Sequence, residues 1–156
     1  MSNAIESFAV IYNNPFIFGT LFPSFYNSLG EKPKGILLSY LVLPLVLYPA
    51  SLKFLMNAKS TSSVRTMVGK PGERDRLYGL EERIAEYREL TNMSIQYEID
   101  IGMLNIDENF SVNVNSYRST NSLVFPDYQK AASRLGYLFA PFDVPTIYRI
   151  LGVKKL

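Results

Sequence analysis

The stretch of sequence that decides the fold is the most hydrophobic part of the chain, Ile36-Leu37-Leu38-Ser39-Tyr40-Leu41-Val42-Leu43-Pro44-Leu45-Val46-Leu47-Tyr48. A helix that crosses a bilayer needs about 20 predominantly apolar residues, and this run is shorter. Pro44 lies within it, and Pro49 and Lys53 interrupt any extension. We therefore expect a helix that is buried in the core of a globular domain. The alternative is a membrane-peripheral protein that inserts residues 36–48 into a lipid surface.

The segments on both sides of this stretch also predict helices. Asn13-Asn14-Pro15 is typical of a helix start, because Asn can cap a helix and Pro fits its first turn. Apolar residues recur at spacings of three and four from Phe16 to Leu29, which indicates a helix that Pro23 should kink or split. On the other side, Ser51 to Asn57 predicts a short helix. The Ser/Thr-rich connection from Lys59 to Ser63 offers a cap for the turn that follows.

The charged middle of the chain predicts two consecutive helices. Gly69-Lys70-Pro71-Gly72 lacks the spacing of a phosphate-binding loop and is interpreted as a turn. Asp75 to Leu90 carries apolar residues at helical spacing and charged residues on its other faces. Thr91 or Asn92 is then expected to cap a second helix, which ends near Gly102.

A β-hairpin is expected directly after these helices. Leu104 to Asp107 and Phe110 to Val114 predict two strands on either side of a turn at Glu108-Asn109. The residues expected to alternate toward the core in the second strand are Phe110, Val112 and Val114. Helix, capped helix and hairpin is the order of elements in a winged-helix module, so a winged-helix-like element is predicted here.

Two further helices are predicted toward the C-terminus. Tyr117 to Pro126 is polar and loop-like, Asp127 to Ala140 has a helical apolar face, and Val144 to Leu151 is a short helix that Gly152 ends. The expected fold class is therefore mostly α with a small β-hairpin, in a single compact helical domain. Its expected parts are an N-terminal helical part over about 13–64, a winged-helix-like part over about 75–115, and C-terminal helices over about 127–153, all within one domain spanning 1–156.

The composition excludes the commonest kinds of enzyme site. The 156 residues include no Cys, His or Trp. There is consequently no thiolate nucleophile, imidazole base or imidazole metal ligand, and any general base would have to be Asp, Glu, Lys or Tyr. Asp107-Glu108-Asn109 could in principle hold a hard cation, but the spacing of a calcium loop is missing and turn chemistry explains the triplet. We expect a protein that is not an enzyme and has no cofactor and no metal.

Charge is nearly balanced overall but separated along the chain. The formal net charge is +2, residues 91–115 carry four acids and no base, and residues 116–156 carry six bases and two acids. We expect these blocks to form two partner-binding faces. The candidate residues are Glu98, Asp100, Asp107 and Glu108 on the acidic face, and Lys130, Arg134, Arg149, Lys154 and Lys155 on the basic face.

Two observations qualify these candidate faces. Four carboxylates without a cation would repel a phosphate backbone, so the alternative function, a winged-helix DNA-binding regulator, would have to use the basic C-terminal region. The aromatic residues near the N-terminus should mostly belong to the core, although some could anchor a partner. These residues are Phe16, Phe18, Phe22, Phe25 and Tyr26.

Taken together, the segments resemble the middle component of bacterial three-component ABC-ATPase systems, over nearly the whole chain. Tyr48 and Leu138 stand where the family often has His and Trp. The segments that carry the resemblance are Asn14-Pro15 opening an aromatic helix, Leu41-Val42-Leu43-Pro44-Leu45-Val46-Leu47, the charged helix around Glu82-Arg83, Ile99-Asp100-Ile101-Gly102-Met103-Leu104 before a hairpin, Arg134-Leu135-Gly136-Tyr137-Leu138-Phe139-Ala140, and Thr146-Ile147-Tyr148-Arg149-Ile150-Leu151-Gly152-Val153.

The resemblance implies a role and no reaction. It implies a connector between an ABC or SMC-like ATPase and an effector subunit such as a nuclease, in conflict or antiphage systems of the Lamassu kind. Contact with DNA would then be indirect, through the complex. Because Met1 to Tyr12 also lacks the basic region and cleavage site of a signal peptide, we expect a cytoplasmic bacterial protein without a membrane span.

Overall fold

The computed structural model is mostly helical with one two-stranded hairpin, which confirms the expected fold class. It describes residues 14–115 and 125–155, so Met1 to Tyr12 and nearly all of the loop predicted at 117–126 lie outside the described residues. The helices are α1 (Pro15–Phe18), α2 (Leu21–Leu29), α3 (Ser39–Val46), α4 (Pro49–Met56), α5 (Val64–Val68), α6 (Leu80–Asp100), α7 (Pro126–Phe139) and α8 (Val144–Leu151), with 3₁₀ segments at Gly35–Leu38 and Pro71–Leu77 and strands β1 (Leu104–Ile106) and β2 (Val112–Val114).

The hydrophobic stretch forms the centre of the core, as predicted. Its second part is α3, and the side chains of Leu41, Val42, Leu43, Leu45 and Val46 are 0% exposed. Burying an aliphatic side chain of this size contributes about 2 kcal/mol. Tyr48 is extended because it precedes the proline that starts α4, and the chain therefore turns sharply between the two helices.

The folded chain leaves little of this stretch for a lipid surface. Among residues 14–115 and 125–155 no single helix is long and apolar enough to cross a bilayer. Gly35–Val46 and Pro49–Met56 together pass a test of length and composition, but they are bent by 99° relative to each other. Insertion of residues 36–48 into lipid would require α3 to leave the core.

The aromatic segment near the N-terminus forms two helices, α1 and α2, and the break lies at Gly19-Thr20 rather than at Pro23. The Asn14 side chain accepts a hydrogen bond from the Phe16 N–H at 2.9 Å, which caps α1 as predicted. Pro23 is the third residue of α2, where its missing N–H has no carbonyl to bind. The predicted split is thus confirmed, and its position is corrected.

Helices α2 and α7 pack closely against each other. A Cβ added to Gly136 would fall on the carbonyl oxygen of Phe25 and lie 2.9 Å from the Cβ of Ser28, so only glycine allows this approach. Polar contacts between the helices join Ser28 Oγ to Ser133 Oγ at 2.7 Å. The close crossing brings α7 against the aromatic face of α2. The predicted positions of both C-terminal helices, α7 and α8, are confirmed.

The prediction of two separate helices over 75–102 is wrong, because α6 runs without interruption over 21 residues. Thr91 lies in its middle and is 1% exposed, and its hydroxyl binds no group in the described structure. The Asn92 side chain accepts a hydrogen bond from the Tyr40 hydroxyl at 2.7 Å instead of capping a helix. Packing of one face of α6 on α3 outweighs the local capping signal. The winged-helix interpretation therefore loses the two-helix order on which it depended.

The hairpin follows α6 directly and pairs Leu104 with Val114 and Ile106 with Val112, in an antiparallel register. Val112 is buried, as predicted for the second strand. The same prediction is wrong for Phe110, whose side chain is 60% exposed and whose φ is +60°. Phe110 belongs to the turn, and its carbonyl accepts a hydrogen bond from the Ile36 N–H.

Candidate partner-binding surfaces

The acidic residues at the end of α6 and in the hairpin point in different directions. Glu98 is 2% exposed, so its carboxylate is inside the protein and not on a docking face as predicted. Its Oε1 atom lies 2.8 Å from the position that a Cβ on Gly19 would occupy, next to α1. Burial raises the pKa of Glu98 from its ordinary value of 4.5 to about 7. Its position on the buried face of α6 follows from the unbroken helix, which the sequence did not indicate.

Asp107 organises the hairpin turn. Its carboxylate accepts hydrogen bonds from the backbone N–H of Asn109 at 2.9 Å and of Ser111 at 3.1 Å, and from the Asn113 side chain. Desolvation acts to raise the pKa of Asp107, but these hydrogen bonds stabilise the charged form and hold the pKa below its ordinary value. This is the turn chemistry that the sequence predicted for the triplet.

The remaining two acidic candidates are exposed. Asp100 is the last residue of α6 and accepts a hydrogen bond from the Gln96 side chain at 2.8 Å. Glu108 lies at the hairpin turn. Within the part of the chain that the structure describes, no group of three or more Asp and Glu side chains is placed to hold a metal ion.

Among the basic candidates, Arg134 is bound within the protein. It lies on α7, and its Nη1 atom donates to the carbonyl oxygens of Leu55, at 2.8 Å, and of Met56. These are the last carbonyls of α4, which lack partners within their own helix. Arg134 therefore joins α7 to the end of α4, and it also lines a cleft of about 440 Å³ beside the exposed ring of Tyr137.

The other four basic candidates present their side chains to solvent. Lys130 is exposed on α7 and Arg149 in the last turn of α8. Lys154 and Lys155 follow α8, and the backbone N–H of Lys154 donates to the Glu81 carboxylate at 2.7 Å. This contact holds the basic C-terminal residues beside the first turn of α6.

Two arginines of the segment Asp75 to Leu90, of which Arg83 was expected on a solvated face, are turned inward. Arg83 donates to the Pro44 carbonyl and, at 2.9 Å, to that of Tyr78, while its guanidinium stacks 3.7 Å from the centre of the Tyr48 ring. Arg76 binds the last carbonyls of α5 and lies 4.6 Å from the Phe54 ring. The outward side of α6 exposes Glu81, Glu82, Glu86, Glu89 and Asp100 but only one cation, Arg88.

Phe16 is the one member of the aromatic N-terminal set that lies at the surface. Phe18, Phe22, Phe25 and Tyr26 are buried, whereas the Phe16 side chain is 60% exposed. Its ring meets the ring of Tyr97 edge-on at a centroid distance of 4.7 Å, so α1 rests on the C-terminal half of α6. No periodicity in the sequence distinguishes Phe16 from its buried neighbours, because α1 is only four residues long.

The comparison with protein families agrees with the order of segments. The family model described as ABC-three component (ABC-3C) system Middle Component 3 matches residues 2–155. Searches of curated proteins and of solved structures found no significant match. The match covers nearly every residue, including the core helix α3, the long helix α6, the hairpin and the C-terminal helices. The chain therefore belongs to the Middle Component 3 family of ABC three-component systems.

Proposed function

We propose that this protein is a non-enzymatic connector of a bacterial three-component antiphage defence system. In this proposal it bridges the heads of an ABC or SMC-like ATPase in the manner of a kleisin and links them to an effector such as a nuclease. The observation that carries the proposal is its membership of a middle-component family over residues 2–155. A component that stands between two others needs a contact surface for each of them.

The charges of the folded chain support two such surfaces. The outward side of α6 is acidic, and the C-terminal region exposes Lys130, Arg149, Lys154 and Lys155. Surfaces of opposite sign favour different partners and disfavour the wrong pairing, because like charges brought together are repelled. The absence of Cys and His from the chain agrees with a role in contact rather than catalysis.

Co-expression with the ATPase and the effector of the same three-component system tests the proposal. We expect the full-length chain to co-elute with both proteins in size-exclusion chromatography, and to be required for their joint elution. The ATPase and the effector, co-expressed without this chain, serve as the control. Elution of the chain by itself, in the presence of both neighbours, would contradict a connector role.

DNA binding by the isolated chain distinguishes the connector from the alternative function, a DNA-binding regulator. A regulator should bind duplex DNA as the isolated chain, with an affinity that falls steeply as salt rises and is lost in Lys154→Glu/Lys155→Glu. A connector is expected to contact DNA only indirectly, through the assembled complex, in the cytoplasm. Fluorescence anisotropy with a labelled duplex distinguishes the two, since salt-sensitive binding by the isolated chain would favour the regulator.

A further inference from the structure

A continuous ridge runs along the outward side of α6. The spacing of its members is three or four residues, which places them in one line on a helix. From Glu82 to Asp100 this line is about 27 Å long, at a rise of about 1.5 Å per residue. The ridge residues are Glu82, Glu86, Glu89, Met93, Tyr97 and Asp100.

Except for Asp100, the second half of the ridge is apolar, and Ile101 extends it by one residue past the end of α6. Met93, Tyr97 and Ile101 follow each other at intervals of four residues, and the side chains of Met93 and Ile101 are 49% and 51% exposed. Phe16 widens this surface, because its exposed ring packs against Tyr97. Contiguous exposed apolar side chains with a polar border are typical of protein-binding sites.

The cations that neighbour the acidic half of the ridge on α6 are Arg83, which interacts electrostatically with Glu82, and Arg88. Glu82 and Glu86 are four residues apart, and Glu86 and Glu89 are three apart, so like charges adjoin and destabilise the isolated helix. Arg88 has no carboxylate three or four residues before or after it. Arg83 is three residues before Glu86, but it binds the carbonyls of Pro44 and Tyr78.

We propose that this ridge is a docking site for a Lys/Arg-rich amphipathic helix of a partner protein. The apolar stripe of such a helix would cover Met93, Ile101 and the ring of Phe16, and its cations would face the three glutamates. Helices bind each other through anchors at the spacing that the ridge displays. This inference rests on the proposed connector role only in that the helix would belong to another component. The negative charge of the ridge excludes a nucleic-acid backbone as the occupant.

A synthetic peptide of 20 residues tests the surface without its natural partner. Its leucines lie on one helical face and lysines occupy the others, and a scrambled peptide of the same composition is the control. We expect the full-length protein to bind the amphipathic peptide in fluorescence anisotropy, about tenfold or more tighter than the scrambled one. The affinity of the protein for the amphipathic peptide should also fall when the salt concentration rises from about 50 to about 500 mM, because salt screens exposed charges over this range.

Two variants examine the two halves of the ridge separately. Glu82→Gln/Glu86→Gln/Glu89→Gln and Met93→Ser/Ile101→Ser should each weaken peptide binding about tenfold or more, since interface energy concentrates in a few side chains. All five positions are exposed, and circular dichroism verifies that both variants stay folded. The control variant Lys130→Gln, which changes an exposed lysine on α7, should bind the peptide as the unmodified protein does.

Several outcomes would overturn the docking site. Equal binding of both peptides would do so, as would unchanged affinity in both ridge variants. Light scattering tests for self-association of the chain. If the chain self-associates, and if both ridge variants and a Lys154→Gln/Lys155→Gln variant abolish this, the ridge binds the basic residues of a second copy instead. Failure of the connector role is separate, because peptide binding can persist in a chain that does not co-elute with the ATPase and effector.

Discussion

Replacing Glu98 with Gln should remove most of the dependence of stability on pH between about 5 and 8. Glu98 is 2% exposed, and burial raises its pKa from 4.5 to about 7. The folded state holds the Glu98 proton more tightly than the unfolded state does. The contribution of this proton to the free energy of unfolding is therefore fully present below pH 4.5. The contribution is lost as pH rises through about 7.

The size of the effect follows from the two pKa values of Glu98, 4.5 unfolded and about 7 folded. Each tenfold change in a proton-binding constant corresponds to about 1.4 kcal/mol, so the free energy of unfolding should fall by about 3 kcal/mol between pH 4.5 and pH 8. The chain offers a clean background for this measurement. It has no His, and the other described carboxyl groups with a shifted pKa, those of Asp107 and Asp143, are shifted downward.

Urea unfolding at a series of pH values measures the effect. We expect the midpoint for the unmodified protein to decrease from pH 5 to pH 8 with an unchanged slope against urea, whereas Glu98→Gln should show a nearly flat profile. Glu89→Gln, an exposed carboxylate on the same helix, is the matched control and should keep the original pH dependence. The reasoning is refuted if Glu98→Gln retains that dependence, or if the unmodified protein becomes more stable as pH rises.

Three further substitutions test the packing and the helix ends. Gly136→Ala should lower the free energy of unfolding, measured by urea titration, by about 1–3 kcal/mol, because the added Cβ meets the α2 backbone. Gly72→Ala is the control: its Cβ meets no atom within 4 Å, so the free energy of unfolding should not change. Arg134→Ala should cost about 1–3 kcal/mol by removing charged hydrogen bonds to the end of α4, and a loss equal to that of the exposed Arg149→Ala would contradict this role. Ser63→Ala removes the capping box of α5 and should cost about 1 kcal/mol; an unchanged thermal midpoint would show that the cap is dispensable.

Glu98 and Arg134 show why two of the nine candidate surface residues could not be predicted. Both were assigned to docking faces because Glu98 lies in the acidic block of the sequence and Arg134 in the basic one. Arg134 instead binds carbonyls of Leu55 and Met56, which are 79 and 78 positions away in the chain. A side chain's direction toward solvent or toward a distant helix end depends on tertiary packing, and no local pattern records it. The exposed candidates Asp100, Glu108, Lys130 and Arg149 lie where composition alone suggested.

The sequence by itself determined the elements whose causes are local. A run of apolar residues too short for a bilayer became the buried helix α3, a capping Asn and a Pro started α1, and alternating residues with turn chemistry formed the hairpin. The absence of Cys and His limited the available chemistry before any fold was known. These properties depend on backbone preference and side-chain chemistry within a few residues.

Only the tertiary structure decided the length of α6 and the sign of its outward face. Thr91 and Asn92 carried a local signal to end a helix, but packing against α3 outweighs it and carries the helix on to Asp100. Arg76 and Arg83 balance the glutamates in the sequence, yet in the fold they turn to carbonyls and aromatic rings. The free energy of those contacts comes from groups far away in the chain, which is why the acidic ridge exists only in the folded protein.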